Sequence, residues 1–90
     1  MSQTLETLRK EIDEVDEELL HVLSKRIRVV EKIGRFKELN GIPPLDEKRW
    51  KELLESIIER GEALKLPKHF LVKLYTQIHI YSLEKEKEAV

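Results

Sequence analysis

Cysteine is absent from this sequence of 90 residues, so the chain has no disulfide framework, no thiolate zinc site and no thiol nucleophile. No apolar run approaches the about 18 residues that a membrane-spanning helix needs, and residues 1–9 lack the apolar core of a signal peptide. Neither sign of charge is in excess, because 17 basic residues are interleaved with 18 acidic ones and the net charge is -1. These absences predict a cytoplasmic protein whose partners include neither membranes nor nucleic acid.

The residues that are present suit amphipathic helices, because 40% are hydrophobic and 39% are charged. That composition is too apolar for a disordered chain and too charged for a chain buried on all sides. A chain of this length forms one domain, residues 1–90, and buries only roughly 60% of its unfolded surface. A partner subunit would therefore relieve a marginal stability.

A long helix is predicted from Leu5 to Asn40, where apolar residues recur every three or four positions without a proline and Thr4 is a fair N-cap. At 1.5 Å per residue this helix would be roughly 54 Å long, whereas a compact 90-residue monomer has a radius of gyration of only about 12 Å. Its apolar side is therefore predicted to pack against the same helix of a second chain, in a homodimer of six helices. A kink near Gly34, folding the helix back on itself, is the alternative.

Two shorter helices are predicted to follow. The first has Asp46 as its N-cap and fades between Gly61 and Leu64. The second has Pro67 in its first turn and is predicted to end in the charged tail at residues 84–88. No strand pattern is evident, so the predicted fold class is all-α, with three helices per chain.

Arg26 interrupts the apolar stripe of the long helix, between Val22 and Val29. A guanidinium on a buried face needs an anionic partner or a route to solvent. One interpretation is an ordinary ion pair with Asp16 or Glu31, or a side chain that reaches the surface. The other is a pocket for an anionic ligand.

Three further cations are candidates for the same pocket. Lys37 lies 11 residues beyond Arg26, about three helical turns, and so on nearly the same face. Arg49 lies in the first turn of the second helix, where the helix dipole disfavours a cation, so either a neighbouring acidic side chain or a ligand carboxylate would explain it. Arg9, 17 residues before Arg26, is roughly 25 Å away along the same helix and could join only from a partner chain; alone it would be a solvated charge.

The third helix carries Tyr75, His79, Ser82 and Glu86 on one face, at steps of four, three and four residues. This face could line a polar cavity, or it could mark where the helix emerges into water. The other two histidines have no companion ligands, and no group of residues has the spacing of a metal site.

Four short segments carry a family resemblance: residues 8–13, 23–26, 33–37 and 44–49, which read LRKEID, LSKR, IGRFK and PLDEKR. In this order and at these separations they resemble the all-helical type of chorismate mutase, over residues 5–86. The resemblance implies a single chorismate mutase type II domain and an intertwined homodimer. It also implies an isomerase that converts chorismate to prephenate, in the shikimate pathway branch to phenylalanine and tyrosine, without a cofactor.

The resemblance further implies which residues hold the substrate. Family members have two equivalent sites, each built from cations of both chains. At the matching positions here, the partner's Arg9 and Arg26 would clamp the two substrate carboxylates, with Arg49 and Ser82 in support. Asp46 would contact the region of the substrate hydroxyl.

Lys37 and Glu86 match the positions that donate to the ether oxygen of the substrate. Bacterial members often carry glutamine in place of Glu86, and a carboxyl group donates only when it is protonated. The implied catalytic residues are therefore Arg9, Arg26, Lys37 and Glu86, and the implied substrate-binding set adds Asp46, Arg49 and Ser82.

Trp50 departs from the family pattern, because the matching position usually holds a glutamate that accepts a hydrogen bond from the ring hydroxyl. An indole cannot accept one. Since Trp50 also opens the apolar stripe of the second helix, we expect it mostly to pack in the core, with the hydroxyl left to the Asp46 backbone, Glu47 or water.

Two other functions remain compatible with these residues. Isochorismate pyruvate lyase shares the fold and most of the cationic set, and it likewise lacks the glutamate that Trp50 replaces. A non-catalytic regulatory or dimerisation module of aromatic biosynthesis is the other alternative.

Overall fold

The computed structural model describes residues 3–88, which form three helices and no strand. Helix α1 spans Leu5–Leu39, α2 spans Glu47–Ala63 and α3 spans Lys68–Glu88. The predicted all-α class is therefore confirmed for the described part of the chain. None of these helices is long and apolar enough to cross a membrane.

Helix α1 begins at a capping box. The Thr4 side chain accepts a hydrogen bond from the Thr7 backbone, and the Thr7 side chain accepts one from the Thr4 backbone. The helix then runs without interruption through Gly34, so the alternative of a kink there is wrong. The molecule is accordingly elongated, at 59 × 24 × 15 Å, with a radius of gyration of 16.8 Å.

Helices α1 and α2 end in the same way, with a residue in the left-handed region. After α1 this residue is Gly41, at φ 65°, and the Ile42 amide donates to the Lys37 carbonyl at 2.8 Å. After α2 it is Lys65, at φ 64°, and the following amide returns to the Gly61 carbonyl at 2.9 Å. Both ends are Schellman motifs, but only the first has the glycine that this backbone conformation favours.

Helix α3 packs against both α1 and α2, which do not pack directly on each other within residues 3–88. The apolar core is small, because Val30 and Leu71 are the only buried hydrophobic residues in the described part of the chain. Gly61 allows α2 to approach α3 closely, because a Cβ atom there would collide with the Leu71 side chain. Gly34 is buried too.

The charged tail of α3 is helical, contrary to the prediction that the helix would end there. The helix continues to Glu88, because Leu83 and Glu86 still face α1 and α2 and are half-buried and buried, respectively. One side chain of the charged segment 84–88, that of Glu86, is therefore buried in the protein interior.

The apolar side of the amino-terminal half of α1 has no partner among residues 3–88. Every residue from 5 to 22 is exposed, including the apolar ones, with Leu5 and Val22 each 62% accessible. Six apolar side chains at helical spacing form this surface, which we call the α1 seam: Leu5, Leu8, Ile12, Val15, Leu19 and Val22.

Candidate active site

A half-enclosed cavity of about 290 Å³ lies where the carboxyl-terminal half of α1, the start of α2 and the end of α3 meet. Its apolar walls come from all three helices and from the loop before α2: Val30, Ile33, Pro44, Trp50, Leu53 and Leu83. Its polar lining consists of seven residues: Arg26, Lys37, Asp46, Arg49, His79, Ser82 and Glu86.

Arg26 reaches the cavity from α1 and donates through Nη1 to Ser82 Oγ on α3, at 2.8 Å. Ser82 is only 6% accessible, so this contact ties two helices together at the cavity wall. Arg26 forms no ion pair with an acidic side chain among the described residues, so the interpretation of an ordinary pair with Asp16 or Glu31 is wrong. A guanidinium has five N–H donors, and Ser82 occupies one of them.

Lys37 lies three turns further along α1 and is held from two sides. Its ammonium group donates to the Pro44 carbonyl at 2.7 Å, and it lies 2.7 Å from Glu86 Oε1 on α3. The second contact is an ion pair by distance, but its angle lies outside the hydrogen-bonding range, and no other described residue donates to Oε1. Oε1 is itself inaccessible to solvent, so the neighbouring ammonium group is what compensates its charge.

Asp46 and Arg49 come from the first turn of α2. Asp46 is the N-cap of the helix, and its Oδ1 accepts a hydrogen bond from the Arg49 backbone amide at 3.0 Å. The Arg49 side chain forms no ion pair with any acidic residue in the described part of the chain. This exposed cation, close to the positive end of the helix dipole, thus has no compensating acidic side chain among residues 3–88.

His79 stacks on Trp50, with ring centroids 4.0 Å apart and ring planes 9° from parallel. Burial lowers the pKa of His79 below its ordinary value, Arg26 lowers it further, and Glu86 opposes both. His79 is therefore neutral near pH 7. Trp50, expected mostly in the core, is instead half-buried in the cavity wall.

The charges around the cavity are three cations and two carboxylates. One carboxylate, Glu86, is beside Lys37, and the other, Asp46, caps a helix. Two guanidinium groups, Arg26 and Arg49, therefore have no acidic partner within residues 3–88. This arrangement suits a small ligand that carries two negative charges.

Six of the seven residues predicted for the site are thus brought to one cavity: Arg26, Lys37, Asp46, Arg49, Ser82 and Glu86. The seventh, Arg9, is exposed near the start of α1 and does not line the cavity of its own chain. Gly34, although buried, does not line the cavity either.

Sequence reasoning missed the apolar walls as parts of the site. Val30 and Ile33 lie between Arg26 and Lys37 at steps of four, three and four residues, so these four positions form one continuous stripe of α1. That spacing was the available signal. The contribution of Pro44 from the loop had no comparable signal, because it depends on where the chain turns back.

Comparison with known proteins identifies the family of this chain. The chain matches the family described as chorismate mutase type II over residues 8–87. It is 33% identical over 89 residues to the bifunctional chorismate mutase/prephenate dehydratase of Aquifex aeolicus, an alignment that covers 96% of the chain and 25% of that protein. It is 35% identical over 71 residues to the protein of the same name from Escherichia coli K12, with 79% of the chain and 18% of that protein covered.

A third relative is the T-protein of Enterobacter agglomerans, 32% identical over 89 residues, which cover 97% of the chain and 24% of that protein. The chain thus spans a quarter or less of the length of these relatives. The family match, by contrast, takes in nearly all of the chain and every cavity-lining residue. The chain belongs to the chorismate mutase type II family.

Proposed function

We propose that this chain is a chorismate mutase, an isomerase that converts chorismate to prephenate in phenylalanine and tyrosine biosynthesis. The observation that carries the proposal is the convergence of Arg26, Lys37 and Arg49 on one cavity, with two of the three lacking acidic partners in the described chain. Chorismate is a small dicarboxylate, and its two charges match the two unpaired guanidinium groups. The cavity is close to the lower end of the range for small-ligand sites, about 300 Å³.

The rearrangement breaks a carbon–oxygen bond and forms a carbon–carbon bond in one unimolecular step, so it needs no nucleophile. A protein accelerates such a step by holding the enolpyruvyl arm over the ring in a reactive conformation and by stabilising the negative charge that develops on the ether oxygen. The apolar walls from three helices would limit the conformations of a bound ligand. The cations would provide the charge stabilisation.

We assign Arg26 and the partner's Arg9 to the two substrate carboxylates, with Arg49 in support, because guanidinium groups bind carboxylates in a bidentate geometry that fixes orientation as well as charge. Ser82 supports this role by holding Arg26 Nη1 at 2.8 Å. Asp46 is assigned to the region of the substrate hydroxyl, at the mouth of α2.

Lys37 and Glu86 are assigned to the ether oxygen. The Pro44 carbonyl takes one of the three ammonium donors of Lys37 and anchors the group, which leaves donors for a ligand. Glu86 would add a second donor only in its protonated form. Glu86→Gln, whose amide donates without titrating, should therefore retain kcat, whereas Glu86→Leu, which cannot donate, should lower it; equal kcat in the two variants would contradict the role of Glu86.

We further propose that two chains pair through the α1 seam and that the partner's Arg9 completes each cavity. The support is the exposure of the apolar seam residues over residues 5–22, together with a molecule 59 Å long that covers only one half of its longest helix. Pairing with the same seam of a second copy buries both apolar surfaces at once. In an antiparallel arrangement it also carries Arg9 toward the other chain's cavity.

The proposal is tested by following the loss of chorismate in the ultraviolet with purified protein and identifying prephenate as the product. The chain with Arg26→Ala and Arg49→Ala, which removes both unpaired guanidinium groups, is the matched inactive control. Absence of turnover by the wild-type protein would contradict the proposal.

Isochorismate pyruvate lyase is a second candidate, favoured by one observation: Trp50 lines the cavity at the position where the mutases usually have glutamate. Incubation with isochorismate and measurement of pyruvate release separates the two activities. A protein that dimerises but converts neither substrate would be a regulatory or dimerisation module.

A further inference from the structure

The stacked pair Trp50 and His79 is the part of the cavity wall that the proposed mechanism does not use. The two rings come from different helices, α2 and α3, and lie nearly parallel at 4.0 Å. Both residues line the same cavity as the cations. The stack therefore fixes the plane of an imidazole ring at the edge of the substrate site.

The His79 ring nitrogens make no hydrogen bond to any residue in the part of the chain that the structure describes, although the ring is half-buried. The other polar groups near it are engaged differently: Ser82 Oγ accepts from Arg26, and Glu86 lies beside Lys37. His79 is thus an unused hydrogen-bonding group in the cavity.

A neutral imidazole has one N–H donor and one acceptor nitrogen, and a hydroxyl group likewise both donates and accepts. Burial favours the neutral form of His79 and lowers its pKa, although Glu86 opposes this shift and Arg26 adds to it. The cations and Glu86 suit carboxylates or an ether oxygen, Asp46 Oδ1 already accepts from the Arg49 backbone amide, and the Trp50 indole has only a donor. An uncharged hydroxyl is therefore the ligand group that His79 matches best.

We propose that His79, held flat against Trp50, is the specificity-determining residue that hydrogen-bonds the hydroxyl on the substrate ring. This inference rests on the proposed function, since it assigns one more contact to the same ligand. In this proposal the stacked pair replaces the glutamate that the family usually has at position 50. The Trp50 indole holds the His79 ring in place, and an imidazole nitrogen accepts the hydrogen bond from the hydroxyl.

The test compares chorismate with its deoxy analogue, which keeps both carboxylates and the enolpyruvyl ether but lacks the ring hydroxyl. For the wild-type protein, His79→Leu and His79→Gln, kcat/KM is measured with chorismate, and the inhibition constant of the analogue is measured against chorismate. His79→Leu should lower kcat/KM for chorismate roughly tenfold, the size of one lost neutral hydrogen bond, and leave the inhibition constant unchanged. His79→Gln, which keeps a donor and an acceptor, should recover part of the loss.

A second measurement separates this role from a structural one. Trp50 is the single tryptophan, so its fluorescence reports directly on the stack and on binding of the analogue in each His79 variant. Equal weakening of chorismate and analogue in His79→Leu, with retained helicity, would overturn the proposal for His79 while the mutase activity stands. Failure of the wild-type protein to convert chorismate would overturn the proposed function and this inference with it.

Discussion

The two halves of α1 have the same apolar periodicity but opposite environments. In residues 5–22 every side chain is exposed, whereas in residues 23–39 α3 packs on one face of the helix and buries Val30 and Gly34, although Val29, Ile33 and Phe36 stay exposed. The difference shows that an apolar stripe predicts a contact without saying whether the partner is in the same chain. In the covered half the partner is α3; for the exposed half we propose a second copy.

The cations of α1 differ in the same way. Arg26 is half-buried and hydrogen-bonded to Ser82, while Arg9 is exposed and has no ion pair among residues 3–88. The residue type and the helix are the same, so only the surroundings separate a residue that lines the cavity from one on the surface. If the second copy brings its own Arg9 to the cavity, the two halves of the helix serve one site.

The largest effect is expected in the covered half. Lys37→Ala should lower kcat by roughly 100- to 1,000-fold, because one donor to a developing negative charge contributes about 3 to 4 kcal/mol. Lys32→Ala, which changes an exposed lysine of the same helix, is the matched control and should be nearly neutral. Near-normal turnover of the Lys37 variant would refute its assigned role.

In the exposed half, Val15→Asp should disrupt the proposed dimer. A carboxylate buried without a partner in the seam costs about 3 kcal/mol or more, which raises the dimer dissociation constant by over roughly 100-fold. Light scattering at micromolar concentration measures this change. Lys10→Asp places the same charge on the opposite side of α1 and should leave the mass unchanged; a wild-type protein that is monomeric would exclude the pairing altogether.

Arg9→Ala tests whether a residue in the exposed half of α1 acts at the cavity beside the covered half of the partner's α1. Loss of a charge-assisted contact of about 1.5 to 3 kcal/mol should lower kcat/KM by roughly 10- to 100-fold, although Arg9 is remote from its own cavity. Mixing this variant with Lys37→Ala after subunit exchange should restore activity, since roughly a quarter of the sites then have both residues intact. Absence of recovery in mixed dimers would count against a contribution from the partner chain.

A smaller effect, on stability, is expected at Gly41, just after the carboxyl-terminal end of α1. Gly41→Ala places a side chain in the left-handed region and should lower the free energy of unfolding by about 1 to 2 kcal/mol. Lys65→Gly, at the equivalent position after α2, should raise it by a similar or smaller amount. Urea unfolding of both variants checks the opposite signs, and Gly41→Ala should also weaken activity because it moves the loop that carries the Pro44 carbonyl.

The smallest effect concerns acid. Because the pKa of His79 is lowered in the folded chain, the unfolded chain takes up this proton first as the pH falls below about 6.5. The contribution of His79 to the free energy of unfolding should therefore be complete above that pH and should decrease as the pH falls toward the lowered pKa of the folded chain. In His79→Leu the decline between pH 7 and pH 5 should be shallower by urea unfolding, and an unchanged slope would show that His79 does not contribute.

Local signals in the sequence were sufficient for the helices. Thr4 and Asp46 cap them as predicted, and the three- and four-residue spacing places α1 and α2 to within a few positions, because caps and periodicity depend only on neighbours along the chain. The same spacing identified Arg26 as a residue out of pattern. The family resemblance then identified its companions in the cavity.

The tertiary structure decided what those patterns face. That Glu86 is buried beside Lys37, that α3 therefore continues to Glu88, and that Trp50 stacks on His79 all depend on residues 29 to 49 positions apart meeting in space. A sequence pattern specifies which side of a helix is apolar or charged. Only the packing of α3 across α1 and α2 determines which charges are buried together, because burial and Coulomb interaction depend on distance in space and not along the chain.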